Sequence, residues 1–167
     1  MKLVDTYVGI GSNLGDKKAN CLKALDMMDQ LRDTRVKDVS PFYRTEPVGV
    51  KEQQNWYLNA VALLGTMLEP ARLMAELMVI EKQLGRERKK RWDSRTIDLD
   101  VLLYGDMVIN DVDLQIPHPR LHIRRFVLVP LADLAPDLVH PVLKESIRDL
   151  LAKCPTEGQE VIREEGL

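Results

Sequence analysis

Cysteine is nearly absent from this sequence. Only Cys21 and Cys154 occur. Neither belongs to a CxxC pair or sits beside a histidine at zinc-ligand spacing, which argues against a zinc site. Two reduced, buried thiols in a cytoplasmic protein are expected rather than a disulfide. No stretch approaches the ~18 unbroken apolar residues of a membrane span. The start, Met1-Lys2-Leu3-Val4-Asp5, lacks the apolar run of a secretory signal. Net charge is -2, so the molecule as a whole is not built to coat nucleic acid or an anionic membrane. No internal repeat, low-complexity tract or Gly/Ser/Pro-rich linker divides the chain. The remainder is ordinary globular material, 45% apolar and 30% charged over 167 residues. One domain spanning 1–167 with a single real core is expected, monomeric by default.

The apolar pattern predicts an α+β protein. Thr6 to Gly11 reads as a strand, and Ser12 to Asp16 as a turn cluster. Ala19, Leu22, Leu25, Met28 and Leu31 recur at helical spacing over 17–31. Val36 to Tyr43 reads as a second strand, interrupted near Pro41. Arg44 to Trp56 has no period and reads as a long loop. Tyr57 to Gly65 is a third strand. Pro70 opens a helix carrying Leu73, Leu77, Ile80 and Leu84, and Gly85 ends it. A fourth strand runs from Ile97 to Tyr104. Beyond it come a hairpin region over 107–116, a short helix over 126–134 and a last helix over 144–153. The end from Glu157 is weakly specified. The order β-α-β-β-α-β is that of a ferredoxin-like sandwich, here with C-terminal hairpin and helix additions.

The strongest local feature is Arg95-Thr96-Ile97-Asp98-Leu99-Asp100-Val101-Leu102-Leu103-Tyr104. Alternate residues of a strand share a face. Asp98 and Asp100 therefore point the same way, with Ile97, Leu99, Val101 and Leu103 on the core side. Two adjacent carboxylates repel each other, and a divalent cation relieves that repulsion. Magnesium suits them, since it takes one or two carboxylates and completes its shell with phosphate oxygens and water. A solvated strand face is the bland alternative.

Six of the ten residues from Arg86 to Arg95 are basic. Arginine offers phosphate a bidentate fork and lysine a point charge. Cations beside metal-binding carboxylates make sense if a polyphosphate lies between them, and Trp92 within the loop could cover a flat ring. Alone, the loop equally fits an RNA-binding module, although Tyr7 by itself does not supply that module's aromatic platform. Gly9-Ile10-Gly11-Ser12-Asn13-Leu14-Gly15 approximates a dinucleotide fingerprint. That leaves a nicotinamide oxidoreductase open, with a tight turn and Asp16 at the helix start as the plainer reading. Tyr57 and Phe126 fit ordinary core aromatics on residue type alone. His122 and His140 fit structural hydrogen-bonding roles, and the methionines at 27, 28, 67, 74 and 78 fit core filler.

Taken in order, these stretches resemble the 6-hydroxymethyl-7,8-dihydropterin pyrophosphokinase family of folate biosynthesis. The carrying segments are Gly9 to Asp16, Phe42 to Gly49, Tyr57 to Ala60, Ile80-Glu81, Leu84 to Arg86 and Arg91-Trp92. Arg95 to Asp100, Pro117 to Leu121 and Phe126 to Leu128 complete the set. The resemblance implies transfer of pyrophosphate from ATP to the pterin hydroxymethyl group, releasing AMP. It implies that Asp98 and Asp100 bind two magnesium ions and that Arg86 and Arg95 assist transfer at the phosphates. Glu81, Arg88, Lys89, His118 and Arg124 would lie along the ATP site. Thr45, Glu46, Val48, Tyr57 and Asn59 would hold the pterin, with Trp92 and Phe126 as an aromatic clamp. Met78, Asp93-Ser94, Asp113 and Pro119 depart from the residues many members carry. The long loop over 44–56 and the basic loop over 86–94 would close over bound substrates, an expectation that hydrogen exchange with and without ligands would test.

Overall fold

The computed structural model describes residues 2–47, 56–85 and 96–165. In chain order the elements are β1 (Val4–Ser12), α1 (Lys17–Asp29), β2 (Thr34–Val39), β3 (Tyr43–Thr45), β4 (Tyr57–Thr66), α2 (Pro70–Gln83) and β5 (Asp98–Tyr104). Then follow β6 (Ile109–Asn110), β7 (Gln115–Ile116), a 3-10 turn at Leu121–Ile123, α3 (Arg125–Leu134), α4 (Ile147–Lys153) and β8 (Val161–Arg163). The main sheet runs β5-β1-β4-β3-β8, with β2 also alongside β4. Its pairings are antiparallel. The α+β expectation holds. Among the described residues no helix is long and apolar enough to cross a membrane.

Helices cover both faces of this sheet. On one face α1 and α2 contribute Met28, Leu73, Leu77 and Ile80 against Val8, Ile10, Leu64, Ile97 and Leu99. On the other, α3 and α4 contribute Leu128, Leu131 and Ile147 against Tyr7, Val61, Leu102 and Leu103. Both cysteines are free and buried, as expected, and burial pushes the Cys21 thiol up to about 12.

Several expectations need correction. The second strand is two: β2 ends at Val39, and β3 takes in Arg44 and Thr45, which the sequence reading assigned to a loop. Pro41 lies in the break, where Ser40 donates its backbone N–H to Val61 and accepts the Val61 N–H on its hydroxyl, both at 2.9 Å. The buried face of α1 is Cys21, Ala24 and Met28, while Leu22 is exposed. Leu103 does not share a face with Leu99. The β1–β5 register shifts between Tyr7 and Val8, leaving Leu102 as the extra residue of a bulge that turns Leu103 to the α3 side. The tail, weakly specified in sequence, forms α4's successor strand β8 against β3. Gly9 and Gly11 lie inside β1, as the reading of Thr6 to Gly11 as a strand expected. Asp16 does sit at the helix start, where its carboxylate accepts the Ala19 N–H at 3.1 Å.

His140 carries the structural role its sequence context suggested. It is buried, and its Nδ1 accepts the backbone N–H groups of Val142 and Leu143 at 3.2 and 3.0 Å. Burial first, and the nearby His122 second, hold its pKa below the usual 6.5. The unfolded chain therefore takes up this proton before the folded one does. Stability is constant above the unfolded pKa and falls as pH drops below it. We expect the urea midpoint to decline on acidification below roughly pH 6.5. His140→Asn, which keeps an acceptor near Nδ1 but cannot titrate, should make the decline shallower. An unchanged pH dependence in that variant would refute this account.

Candidate active site

The register brings the sequence-predicted residues onto one face. Gly11 pairs with Asp98 on one side and with Asn59 on the other, and Asn59 pairs with Tyr43. Directly opposed residues of an antiparallel pair share a face. Asp98, Gly11, Asn59 and Tyr43 thus form one row across four strands. The neighbouring row is Asp100, Gly9 and Val61, and Thr45 pairs with Tyr57 beside Asn59. In the middle of these rows two glycines present no side chain. The result is a strip of sheet, the trough, with carboxylates at one end and an amide and two tyrosines at the other. The Leu102 side chain packs over Gly9, 3.6 Å from where a β-carbon would stand.

Asn59 is fixed tightly. Its Nδ2 donates a short hydrogen bond to the Thr45 hydroxyl. Its Oδ1 lies over Gly11, where a β-carbon would come within 2.5 Å of it. The Tyr57 ring lies beside the same spot, at 3.4 Å. Tyr43 donates a short hydrogen bond to Asp133 of α3. Burial, reinforced by that carboxylate and opposed by Arg163, pushes its phenol up to about 12. Tyr43 therefore stays protonated and ties α3 to the trough floor.

Asp98 and Asp100 also line a cleft of about 500 Å³ along the free edge of β5. Its other walls are Met74, Met78 and Glu81 of α2, residues 112–115 around β7, and His118, Pro119 and Arg124. Glu81 is buried, and its Oε2 accepts the Leu99 N–H at 2.8 Å. An edge strand leaves such N–H groups without a strand partner, so Glu81 fixes the backbone between the two aspartates. The His118 backbone N–H donates to Leu102 at 2.9 Å, and its Nδ1 accepts the Arg120 N–H at 3.1 Å. Burial, then Arg124 and Arg120, push the His118 ring down to about 4 against the pull of Asp98. The ring is neutral near pH 7, and with Nδ1 accepting, Nε2 carries the proton.

Arg124 faces the aspartate pair from the cleft wall. Its guanidinium stacks over the Phe126 ring, 5.4 Å from the centroid, a favourable cation–π placement. Burial lowers its pKa, and the carboxylates of Asp100 and Asp98 oppose that shift, so a charged arginine faces the aspartate pair. The carboxylate oxygens of that pair are chemically suited to a hard divalent cation. Among the described residues no group of three or more His, Cys, Asp or Glu side chains could hold a metal. A cation here would complete its shell with ligand and water oxygens.

A model of the 7,8-dihydro-6-hydroxymethylpterin-pyrophosphokinase family matches residues 7–136. The chain belongs to this family. A Pseudomonas aeruginosa protein named 2-amino-4-hydroxy-6-hydroxymethyldihydropteridine pyrophosphokinase is 44% identical over 154 residues, covering 92% of this chain and 94% of its own. A Haemophilus influenzae protein of the same name is 43% identical over 139 residues, covering 83% and 86%. Folic acid synthesis protein fol1 of Schizosaccharomyces pombe is 41% identical over 152 residues, but this chain spans only 21% of it. A solved wild-type Plasmodium falciparum HPPK-DHPS chain with pteroate shares the fold, with a TM-score of 0.73 at 14% identity. It matches over 92% of this chain and 43% of its own.

The segment matched to the pyrophosphokinase family contains every described residue of the trough and cleft. Of the residues the resemblance singled out, Thr45, Tyr57, Asn59, Asp98 and Asp100 meet on the trough face. Glu81, His118 and Arg124 meet in the cleft, with Phe126 under Arg124. Glu46 instead turns toward the tail: its Oε1 accepts the Glu160 N–H at 3.1 Å. Val48, Arg86, Arg88, Lys89, Trp92 and Arg95 lie outside the described residues, as do residues 48–55 of the loop expected to close over 44–56 and the whole of the loop over 86–94. Three of the departures from family pattern, Met78, Asp113 and Pro119, line the cleft. Met74 and Met78 are therefore cleft wall, not core filler. Gln115, Tyr43 and the glycine floor were missed in sequence. The floor did leave a signal, since Gly9 and Gly11 share the two-residue spacing of Asp98 and Asp100.

Proposed function

We propose that this enzyme transfers the diphosphate of ATP to the hydroxymethyl group of 6-hydroxymethyl-7,8-dihydropterin in folate synthesis, giving AMP and the pterin diphosphate. The observation that supports the reading is the row that sets Asp98 at one end of the sheet face and the Asn59 amide at the other, with Asp98 and Asp100 also lining a cleft large enough for a nucleotide. In this reading ATP occupies the cleft against Glu81, His118 and Arg124, with Arg86, Arg88, Lys89 and Arg95 at its phosphates. The pterin lies in the trough against Thr45, Val48, Tyr57, Asn59, Trp92 and Phe126, with Glu46, whose carboxylate is turned to the tail, bordering it through its backbone. Asp98 and Asp100 would hold two magnesium ions, which would supply charge neutralisation at the phosphates and the acceptor hydroxyl.

The protein's own part is positioning and electrostatics, as phosphoryl-type transfer requires. Arg124 brings positive charge to the phosphate side, and the neutral His118 offers its Nε2–H as a donor. Asn59 both donates and accepts, matching an amide-like ring edge. We read the strand order β5-β1-β4-β3 as a ferredoxin-like sandwich whose second strand is broken into β2 and β3. In this reading one domain works as a cytoplasmic monomer.

The direct test mixes the protein with ATP, magnesium and 6-hydroxymethyl-7,8-dihydropterin. AMP should appear in step with pterin diphosphate, and no AMP would refute the assignment. Asn59→Ala should weaken pterin binding while leaving ATP binding alone. Losing a buried hydrogen-bonding partner costs about 1–3 kcal/mol, so calorimetry should read a roughly 5- to 150-fold weaker pterin affinity. Unchanged pterin affinity would move the pocket elsewhere.

A further inference from the structure

Helix α3 begins at the site without a local cap. Its N-cap position is Arg124, which makes no side-chain capping hydrogen bond. Ser, Thr, Asp or Asn usually fill that position and accept an orphan N–H of the first turn. Arg124 has no acceptor to offer, and its guanidinium is committed to Phe126 and the aspartate pair.

The missing acceptor comes from the tail. Gln159 Oε1 accepts the Arg125 N–H at 3.0 Å. Its Nε2 donates to the carbonyls of Ile123 at 3.1 Å and Pro155 at 3.0 Å. One amide thus grips the backbone on both sides of Arg124. The residues after it are anchored to β3: Glu46 donates its N–H to Glu160 at 3.0 Å, and Glu164 donates its N–H to Phe42 at 2.9 Å. The tail therefore links the strand bearing Thr45 to the helix start bearing Arg124 and Phe126. Gln159 lies beyond the stretch 7–136 matched by the family model.

We propose that Gln159 is a positioning residue for the reaction, acting through Arg124 as a cap supplied from a distant part of the chain. This rests on the reading that Arg124 faces the transferred phosphates. The geometry explains why a non-capping residue sits at the N-cap of a helix that borders the site: the position is occupied by a functional cation.

The test is a double-mutant cycle on Gln159→Ala and Arg124→Ala, with turnover of the unaltered protein measured first. Absence of wild-type turnover would count against the proposed function and leave the cap itself to be judged by hydrogen exchange. Gln159→Ala should speed exchange at Arg125 and Phe126 in the ligand-free protein. It should lower kcat/KM by about tenfold or more, the scale on which small misplacements act. It should lower kcat/KM no further in the Arg124→Ala background. Gln159→Glu keeps the acceptor for the Arg125 N–H and adds a charge that a helix start favours, but it gives up the donor to the Ile123 and Pro155 carbonyls, so it should retain protection at Arg125 and keep turnover well above that of Arg124→Ala. A fall in melting temperature with unchanged kcat/KM would reduce Gln159 to a structural cap and overturn the proposal. So would a full additive loss in the double variant. If Gln159→Ala fails to fold, Gln159→Glu decides: protected Arg125 with turnover as low as that of Arg124→Ala also overturns it.

Discussion

Asp98→Ala and Asp100→Ala should each lower AMP formation by more than about a hundredfold at saturating ATP and magnesium. Even groups that merely orient a metal ligand are worth about 10–100-fold, and in the proposed reading these two carboxylates are the ligands themselves. The fold should survive, because both side chains are half-buried in the cleft wall while Ile97 and Leu99 fill the core behind them. Asp100→Asn separates charge from shape. It keeps an oxygen donor at the same place, but it removes a charge that Arg124 faces. If the role is electrostatic, the asparagine variant should be nearly as slow as the alanine variant, and more magnesium should restore little of the rate. Near-normal turnover in either alanine variant would end the metal assignment. Circular dichroism on each variant excludes unfolding as the cause.

The aspartate pair was legible in the sequence because strand periodicity is local. Asp98 and Asp100 sit two residues apart, and nothing beyond β5 is needed to place them on one face. The rest of the trough was not legible, because it depends on register between strands distant in the chain. Gly11 opposes Asp98 and Asn59 at once, a relation that composition and periodicity do not encode. The resemblance to the pyrophosphokinase family named the residues, and the register gives the physical reason they belong together. Leu103 shows the limit in the other direction. Strict alternation put it with Leu99, but the bulge at Leu102 inserts one extra residue and reverses everything after it. Leu22 shows another, since helical spacing alone fits several stripes and packing against Ala24 and Met28 selected a different one. The tail was illegible for a plainer reason. Val161, Ile162 and Arg163 make a strand too short to show a period, and only β3 beside it makes them one.

If the pterin binds at Asn59 as proposed, Gly11→Ala should cost the enzyme that site through a single methyl group. A β-carbon at this position would lie 2.5 Å from Asn59 Oδ1, closer than real contacts allow. Strand β1 is held on both edges, by β4 and β5, so it cannot retreat. Asn59 must yield, and in doing so it gives up its short hydrogen bond to Thr45. Forcing a methyl into a packed site costs about 1–3 kcal/mol in stability. Moving the Asn59 amide costs the pterin its partner, about 1–3 kcal/mol in binding. Pterin affinity should therefore fall at least as far as in Asn59→Ala, while ATP affinity, which the proposed function places in the neighbouring cleft, should change little. The double variant Gly11→Ala/Asn59→Ala tests the route. With the amide gone, the nearest remaining obstacle is the Tyr57 ring at 3.4 Å, an ordinary contact. The alanine at position 11 should then add little to the loss caused by Asn59→Ala alone. Two losses that simply add in calorimetric titrations with pterin would mean that Gly11 acts on the site by some path other than the Asn59 side chain.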